Sequence, residues 1–199
     1  MDGIQIRTAS VEDAAELLEL YSHYVRRTAI SFEWEIPTLE EFQGRVRRTL
    51  EQYPYLIAHQ GGKLLGYAYA GPFVGRAAYG WSAELTIYLA PESAKRGIGR
   101  ALYEALERAL AEMGVCNLYA CVGVPAEEED EYLTFNSAQF HAHMGFVQCG
   151  EFHRCGCKFG RWYSMVWMEK LIGPHSPGQS PVRPFQGKIS LDKALIPGL

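Results

Sequence analysis

The stretch Glu84-Leu85-Thr86-Ile87-Tyr88-Leu89-Ala90-Pro91, continuing as Glu92-Ser93-Ala94-Lys95-Arg96-Gly97-Ile98-Gly99-Arg100-Ala101-Leu102, decides how this chain is read. Its first part reads as a strand that stops at Pro91. From Gly97 the apolar period lengthens from 2 to 3.6, with Ala101, Leu102, Ala105, Leu106, Ala109 and Leu110 on one face, so a long helix follows and ends near Gly114. A helix N-terminus leaves about four backbone N–H groups without partners and carries roughly half a positive charge, which suits a diphosphate. Gly97 and Gly99 let such a group approach the backbone, and Lys95, Arg96 and Arg100 can add charge. The turn is not a Walker A loop, because no Gly-Lys-Ser/Thr follows. Nor is it a dinucleotide fingerprint, because Leu102 stands where the third glycine belongs.

On the N-terminal side, residues 4–7 predict a short strand. Ser10 and Asp13 form a capping-box signal for a helix with Ala14, Leu17, Leu18, Tyr21 and Val25 along one stripe. Thr38 and Glu41 repeat that signal for a second helix carrying Phe42, Val46 and Leu50, which breaks at Tyr53-Pro54. YLIAHQ and KLLGYAYAG flank Gly61-Gly62 and predict a hairpin. On the C-terminal side, NLYACVGV predicts a strand and PAEEEDEYLT an exposed acidic loop. A short helix is expected over 136–144, then a half-buried pair, FVQCGEFHRC and RWYSMVWMEKL. After Leu171, prolines 174, 177, 181 and 184 deny both helix and ladder hydrogen bonds, so residues 1–171 read as the domain and 172–199 as a linker-like extension, either free or docked loosely on the domain or a neighbour.

With 199 residues, 48% of them hydrophobic, one compact α/β domain is expected. The net charge of −4 offers no footprint for nucleic acid or anionic lipid, and no apolar run approaches a membrane span. Without a basic-then-apolar leader, a cytoplasmic location is expected. The odd set Cys116, Cys121, Cys149, Cys155 and Cys157 argues against a disulfide framework. Cys155-x-Cys157 near His153 lacks the second pair a structural zinc wants, so no metal is expected.

The strand, turn and helix around Gly97-x-Gly99 resemble the cofactor motif of the GNAT superfamily. The resemblance extends through YPYLIA, GYAYAGPF, Arg76-x-x-Tyr79, SAELTIYL, Asn136-Ser137, Phe140-His141, Gly145-Phe146 and CKFGRW to the phosphinothricin N-acetyltransferase branch, across about residues 4–171. It implies a GNAT acyltransferase fold: a mixed, mostly antiparallel sheet splayed at two parallel strands and flanked by helices. It also implies acetyl-CoA as co-substrate, a small amino-acid-like amine as acceptor, and a homodimer. Ala94 replaces the Gln or Arg of the motif, Cys157 a common Tyr and Ser164 a common Asp.

The resemblance also assigns roles to single residues. Glu84 is the general base, acting through a water, provided burial lifts its pKa from near 4.3. A backbone N–H among Ile87, Tyr88 and Leu89, unpaired in the sheet, stabilises the thioester oxygen. Lys95 to Ala101, Ile98 included, hold the diphosphate, and Asn136 contacts the cofactor. His141 stands where the superfamily often has an acid Tyr, and is either the acid for the departing thiolate or a packing residue. Phe32, Glu33, Arg76 and Tyr79 are the candidates for the acceptor pocket. Two other readings fit the same residues: a protein N-terminus or lysine as acceptor, and an acyl-CoA-binding module without turnover.

Overall fold

The computed structural model describes residues 3–93, 95–187 and 189–192; Ala94 and residues 193–199 of the expected extension lie outside the described residues. In chain order come β1 (Gln5–Thr8), α1 (Ala14–Arg27), α2 (Leu39–Leu50), β2 (Tyr55–Gln60), β3 (Lys63–Pro72), β4 (Ser82–Leu89), α3 (Ile98–Met113), β5 (Asn117–Pro125), α4 (Asn136–His143), β6 (Val147–Lys158), β7 (Arg161–Leu171) and β8 (Ser190–Asp192). Among the described residues they form one eight-stranded sheet in the order β6-β7-β5-β4-β3-β2-β1-β8. Every neighbouring pair is antiparallel except β4 and β5, so the splayed mixed sheet expected from the sequence is present.

Local chemistry sets the boundaries. The Ser10 N–H donates to the Asp13 carboxylate at 2.7 Å ahead of α1. Before α2, Thr38 N–H donates to Glu41 at 2.7 Å while Glu41 N–H donates back to the Thr38 hydroxyl at 3.2 Å, which satisfies two donors that a helix start otherwise leaves open. Gly61 and Gly62, at φ 57 and 77, close the β2–β3 hairpin as a turn of positive φ requires. The helices cover both faces. On one, Leu102, Leu106 and Leu110 of α3 pack on Leu56, Ala68, Ala83 and Leu118, whose small alanines let the helix approach closely. On the other, Leu17 and Tyr21 of α1 and Phe42 and Val46 of α2 pack on Ile57 and Tyr67.

Two expectations need correction. The strand pair is not half-buried throughout: β6 is an edge strand, largely exposed, with Phe152 at 53%. The acidic loop is not wholly solvated. Leu133 is buried with Ala29 and Tyr163, because Asp130 accepts the N–H groups of Tyr132 and Leu133 and the Tyr163 hydroxyl and so folds the loop inward. Of the alternatives left open for the segment after Leu171, the structure shows docking on the domain itself. Trp81 Nε1–H donates to Ser180 O at 2.8 Å, Arg183 N–H to Met113 O at 3.0 Å and Phe185 N–H to Gln52 O at 2.9 Å; β8 then extends the sheet beside β1. Its prolines forbid a helix yet leave carbonyls and alternate N–H groups free to bond, and Val182, Phe185 and Ile189 pack on the main core.

Candidate active site

β4 and β5 pair only over Ser82–Glu84 with Asn117–Tyr119. Past that point each strand keeps its outer neighbour and loses the inner one: β4 stays on β3 as far as Leu89, and β5 stays on β7 as far as Pro125. Glu84, opposite Tyr119, therefore stands at the vertex of a V-shaped opening. Beyond the vertex, the inner backbone groups of β4 have no ladder. Ala90 N–H donates to Leu65 O, so by two-residue alternation Tyr88 faces β3 and Ile87 and Leu89 face the opening. The Leu89 N–H is taken by the Tyr24 hydroxyl at 3.2 Å, which itself donates to Leu89 O. Of the amides expected to be unpaired, Tyr88 and Leu89 are thus engaged, and Ile87 alone keeps an N–H aimed into the V.

The turn beyond β4 is left-handed at Lys95 and at Gly97, with φ 60 and 74. Gly97 is the N-cap of α3 and carries no side-chain cap, so the N–H groups of Ile98, Gly99 and Arg100 have no helical partner. Ala101 differs from the expectation. Its N–H closes the first turn onto Gly97 O at 3.0 Å, and its side chain is buried. Gly99 also serves packing, since an added Cβ would lie 3.1 Å from the Phe140 ring and 3.4 Å from Leu89. The Lys95 and Arg96 side chains are exposed, and Arg96 donates to Gln60 at 2.6 Å. Arg100 lies 3.9 Å from Glu104.

Glu84 is half-buried, and desolvation lifts its carboxyl above the ordinary glutamate range. No side-chain hydrogen bond or ion pair engages it among the described residues. Burial and then the Glu84 charge push the Cys121 thiol, on the departing arm of β5, up to about 11. His141 is buried at 3% exposure. Its Nδ1 lies 2.7 Å from Ser137 O, which can only accept, so Nδ1 carries the proton and Nε2 accepts from the Tyr103 hydroxyl at 2.9 Å. Burial holds this ring below the usual histidine pKa.

Two cavities flank the vertex on the α1–α2 face of the sheet. One, of about 490 Å³, lies between α1, α2 and β2–β4, and is lined by Tyr21, Tyr55, Tyr67, Tyr69 and Tyr88 with Glu33, Arg45 and Arg48. The other, of about 670 Å³, lies between the β3–β4 loop and the docked C-terminal segment.

A family model described as Acetyltransferase (GNAT) domain matches residues 6–167. The chain belongs to the GNAT acetyltransferase family. It is 36% identical over 173 residues to a phosphinothricin N-acetyltransferase of Streptomyces coelicolor, covering 85% of this chain and 96% of the relative. It is 27% identical to an L-methionine sulfoximine/L-methionine sulfone acetyltransferase of Salmonella typhimurium, covering 86% and 96%. A GNAT superfamily phosphinothricin acetyltransferase from Sinorhizobium meliloti, solved in complex with AcCoA, superposes with a TM-score of 0.79 at 28% identity, covering 92% of this chain and 98% of that one.

Within this GNAT fold the four expected acceptor residues do not share one pocket. Glu33 lines the α1–α2 cavity, where it pairs with Arg45 at 2.8 Å. Tyr79 lines the second cavity, edge-on to Phe73 at 5.6 Å. Arg76, whose carbonyl accepts the Tyr79 N–H, lies in the β3–β4 loop and lines neither cavity. Phe32 lies over Gly123 and Gly156, where any added Cβ would meet its ring. Asn136 opens α4 with its side chain exposed. Tyr24, Tyr69 and Arg45 were missed. Each sits on an apolar or amphipathic stripe that reads as ordinary core or surface, and only Tyr69, alternating with Tyr67 and Tyr55 on one face, left a signal. Among the described residues no group of three or more His, Cys, Asp or Glu is placed to hold a metal, and no helix is long and apolar enough to cross a membrane.

Proposed function

We propose that this chain moves the acetyl group of acetyl-CoA directly to the amino group of a small, amino-acid-like acceptor. The observation that carries the reading is Glu84: a desolvated, unpartnered carboxylate at the point where β4 and β5 part, between unpaired amides on one side and two cavities on the other. When bound, acetyl-CoA supplies the activated thioester. The residues fit that group: Ile98, Gly99 and Arg100 have free N–H groups that would hold a diphosphate, the Ile87 N–H would stabilise the thioester oxygen, and the exposed Asn136 amide would contact the rest of the cofactor. Lys95 and Arg96 add charge at the mouth.

An ammonium has no lone pair, so the acceptor nitrogen must lose a proton before it attacks. Glu84 takes that proton, directly or through a water, and its raised pKa makes it a stronger base than an exposed glutamate. His141 acts by position in this reading. With Nδ1–H on Ser137 O and Nε2 filled by Tyr103, the neutral ring has no proton to spare, and it fixes α4 against α3. Of the four candidates, Glu33 and Tyr79 would face the acceptor from the two cavities they line, while Arg76 and Phe32 line neither. The relatives' names, phosphinothricin and methionine sulfoximine acetyltransferases, support an amino-acid analogue over a protein N-terminus.

The test is thiol release from acetyl-CoA against a panel of amino acids, sulfoximines, polyamines and peptides. Acetylation of small amino-acid analogues is expected; turnover confined to peptides contradicts the acceptor class, and tight acetyl-CoA binding without turnover of any amine marks a binding module. The same resemblance supports a homodimer, with exposed Val147, Phe152 and Trp162 near the β6 edge as the contact. Sedimentation at micromolar concentration should give twice the chain mass, and a monomer contradicts the dimer.

A further inference from the structure

The C-terminal segment crosses the mouth of the cavity on the Ser82 side of Glu84, and it comes from outside the span that the family model matches. We propose that residues 174–180 form the outer wall of an acceptor subsite, and that this subsite selects amino acids with an aromatic side chain. The inference rests on the acetyl-transfer reading and narrows its substrate.

Position is the first argument. Ser82 lines the cavity and lies two residues before Glu84, so the two share a face of β4 and stand about 7 Å apart. Tyr119, the partner of Glu84 across the parallel ladder, also lines it. An amine poised at Glu84 therefore has its α-substituent within reach of the cavity. At about 670 Å³ the space accepts a whole amino acid side chain.

Chemistry is the second. The sheet-side wall is aromatic: Phe73 stacks on Tyr119 at 4.1 Å and meets Tyr79 edge-on at 5.6 Å, with Trp81 beside them. Such walls favour a flat ring in offset or edge-on contact. Among the described residues no Asp, Glu, Lys or Arg lines this cavity, and its histidine, His175, is tied to Asn117, so the cavity lacks the fixed cation that a phosphinate or second carboxylate calls for. The charges sit in the other cavity, where Arg45 and Arg48 can face an acceptor's own carboxylate.

Fixation is the third. Trp81 donates its indole N–H to Ser180 O, and Gln179 donates to the Cys116 sulfur. His175 Nε2–H donates to Asn117 Oδ1 at 2.7 Å, and Asn117 Nδ2–H passes on to the Ser82 hydroxyl at 3.2 Å. The wall is thereby tied to the strand that carries Glu84.

The experiment compares kcat/KM for L-phenylalanine and L-alanine at saturating acetyl-CoA, with circular dichroism confirming the fold of each variant. The wild-type chain should prefer phenylalanine by roughly tenfold or more, a discrimination that a hydrophobic pocket can supply. Ser176→Trp on the tail and Ala78→Trp on the facing loop each fill the cavity, and each should lower the phenylalanine-to-alanine ratio by roughly tenfold. If one variant fails to fold, the other still decides. A ratio unchanged by filling, a preference for alanine, or acetylation of neither amino acid overturns this inference. Failure to acetylate any amine of the panel, with or without acetyl-CoA binding, overturns the acetyl-transfer reading as well.

Discussion

The two sides of Glu84 are built differently. In the proposed reading the donor side draws its contacts from the backbone: the free N–H groups at the start of α3 and the inner amide of Ile87, exposed because β4 and β5 part company. On the acceptor side they come from side chains, and from elements far apart in sequence: Glu33 and Arg45, Tyr69 and Tyr88, Tyr79 of the β3–β4 loop and the segment after Leu171. A backbone site tolerates changes of side chain but depends on dihedral angles. A side-chain site keeps its fold under substitution and changes its ligand. One protein can therefore keep its donor while its acceptor drifts.

The comparison can be broken at the vertex first, where the effect is largest. Glu84→Gln should lower kcat by roughly 10²–10³-fold, the scale of a lost general base, while acetyl-CoA affinity measured by calorimetry stays within about twofold. Equal loss of both would place Glu84 in the donor site and contradict its role. Next is the turn. Gly97 sits at φ 74, so Gly97→Val adds strain of about 1–2 kcal/mol and, by turning the α3 amides, should weaken acetyl-CoA binding by roughly tenfold. Unchanged binding would mean that the donor is not held by these amides.

The smallest effect is on stability. Because burial raises the Glu84 pKa in the fold, the folded chain binds this proton more tightly than the unfolded chain does. The group's contribution is then most favourable below the unfolded pKa and is lost as pH rises through the folded value. Glu84→Gln should raise Tm by a few degrees at pH 7 and leave it unchanged near the acid end of the carboxylate range, in thermal scans at both pH values. A lower Tm at pH 7 would show that the carboxylate has a stabilising partner. Activity and stability therefore respond to one substitution with opposite sign.

This asymmetry also explains what could be read from sequence. The capping pairs Ser10–Asp13 and Thr38–Glu41, the Gly61-Gly62 turn and the glycine turn before α3 are local, and each was legible. The place where the tail docks was not, because it depends on Trp81 meeting Ser180 across 99 residues. The exposure of β6 escaped for a related reason: alternation reveals which residues share a face, and says nothing of whether the strand is central or an edge. Leu89 looked like a free donor until α1 brought the Tyr24 hydroxyl onto it. Glu84 was legible by family resemblance, and its place at the vertex became physical only with the register of β4 on β5.

The central claim, that backbone amides around Gly97 hold the donor, is tested most directly by following the amide resonances of an isotope-labelled chain during titration with acetyl-CoA. The account predicts saturable shifts largest at Ile98, Gly99, Arg100 and Ile87. Saturable binding that leaves those four resonances in place would contradict it.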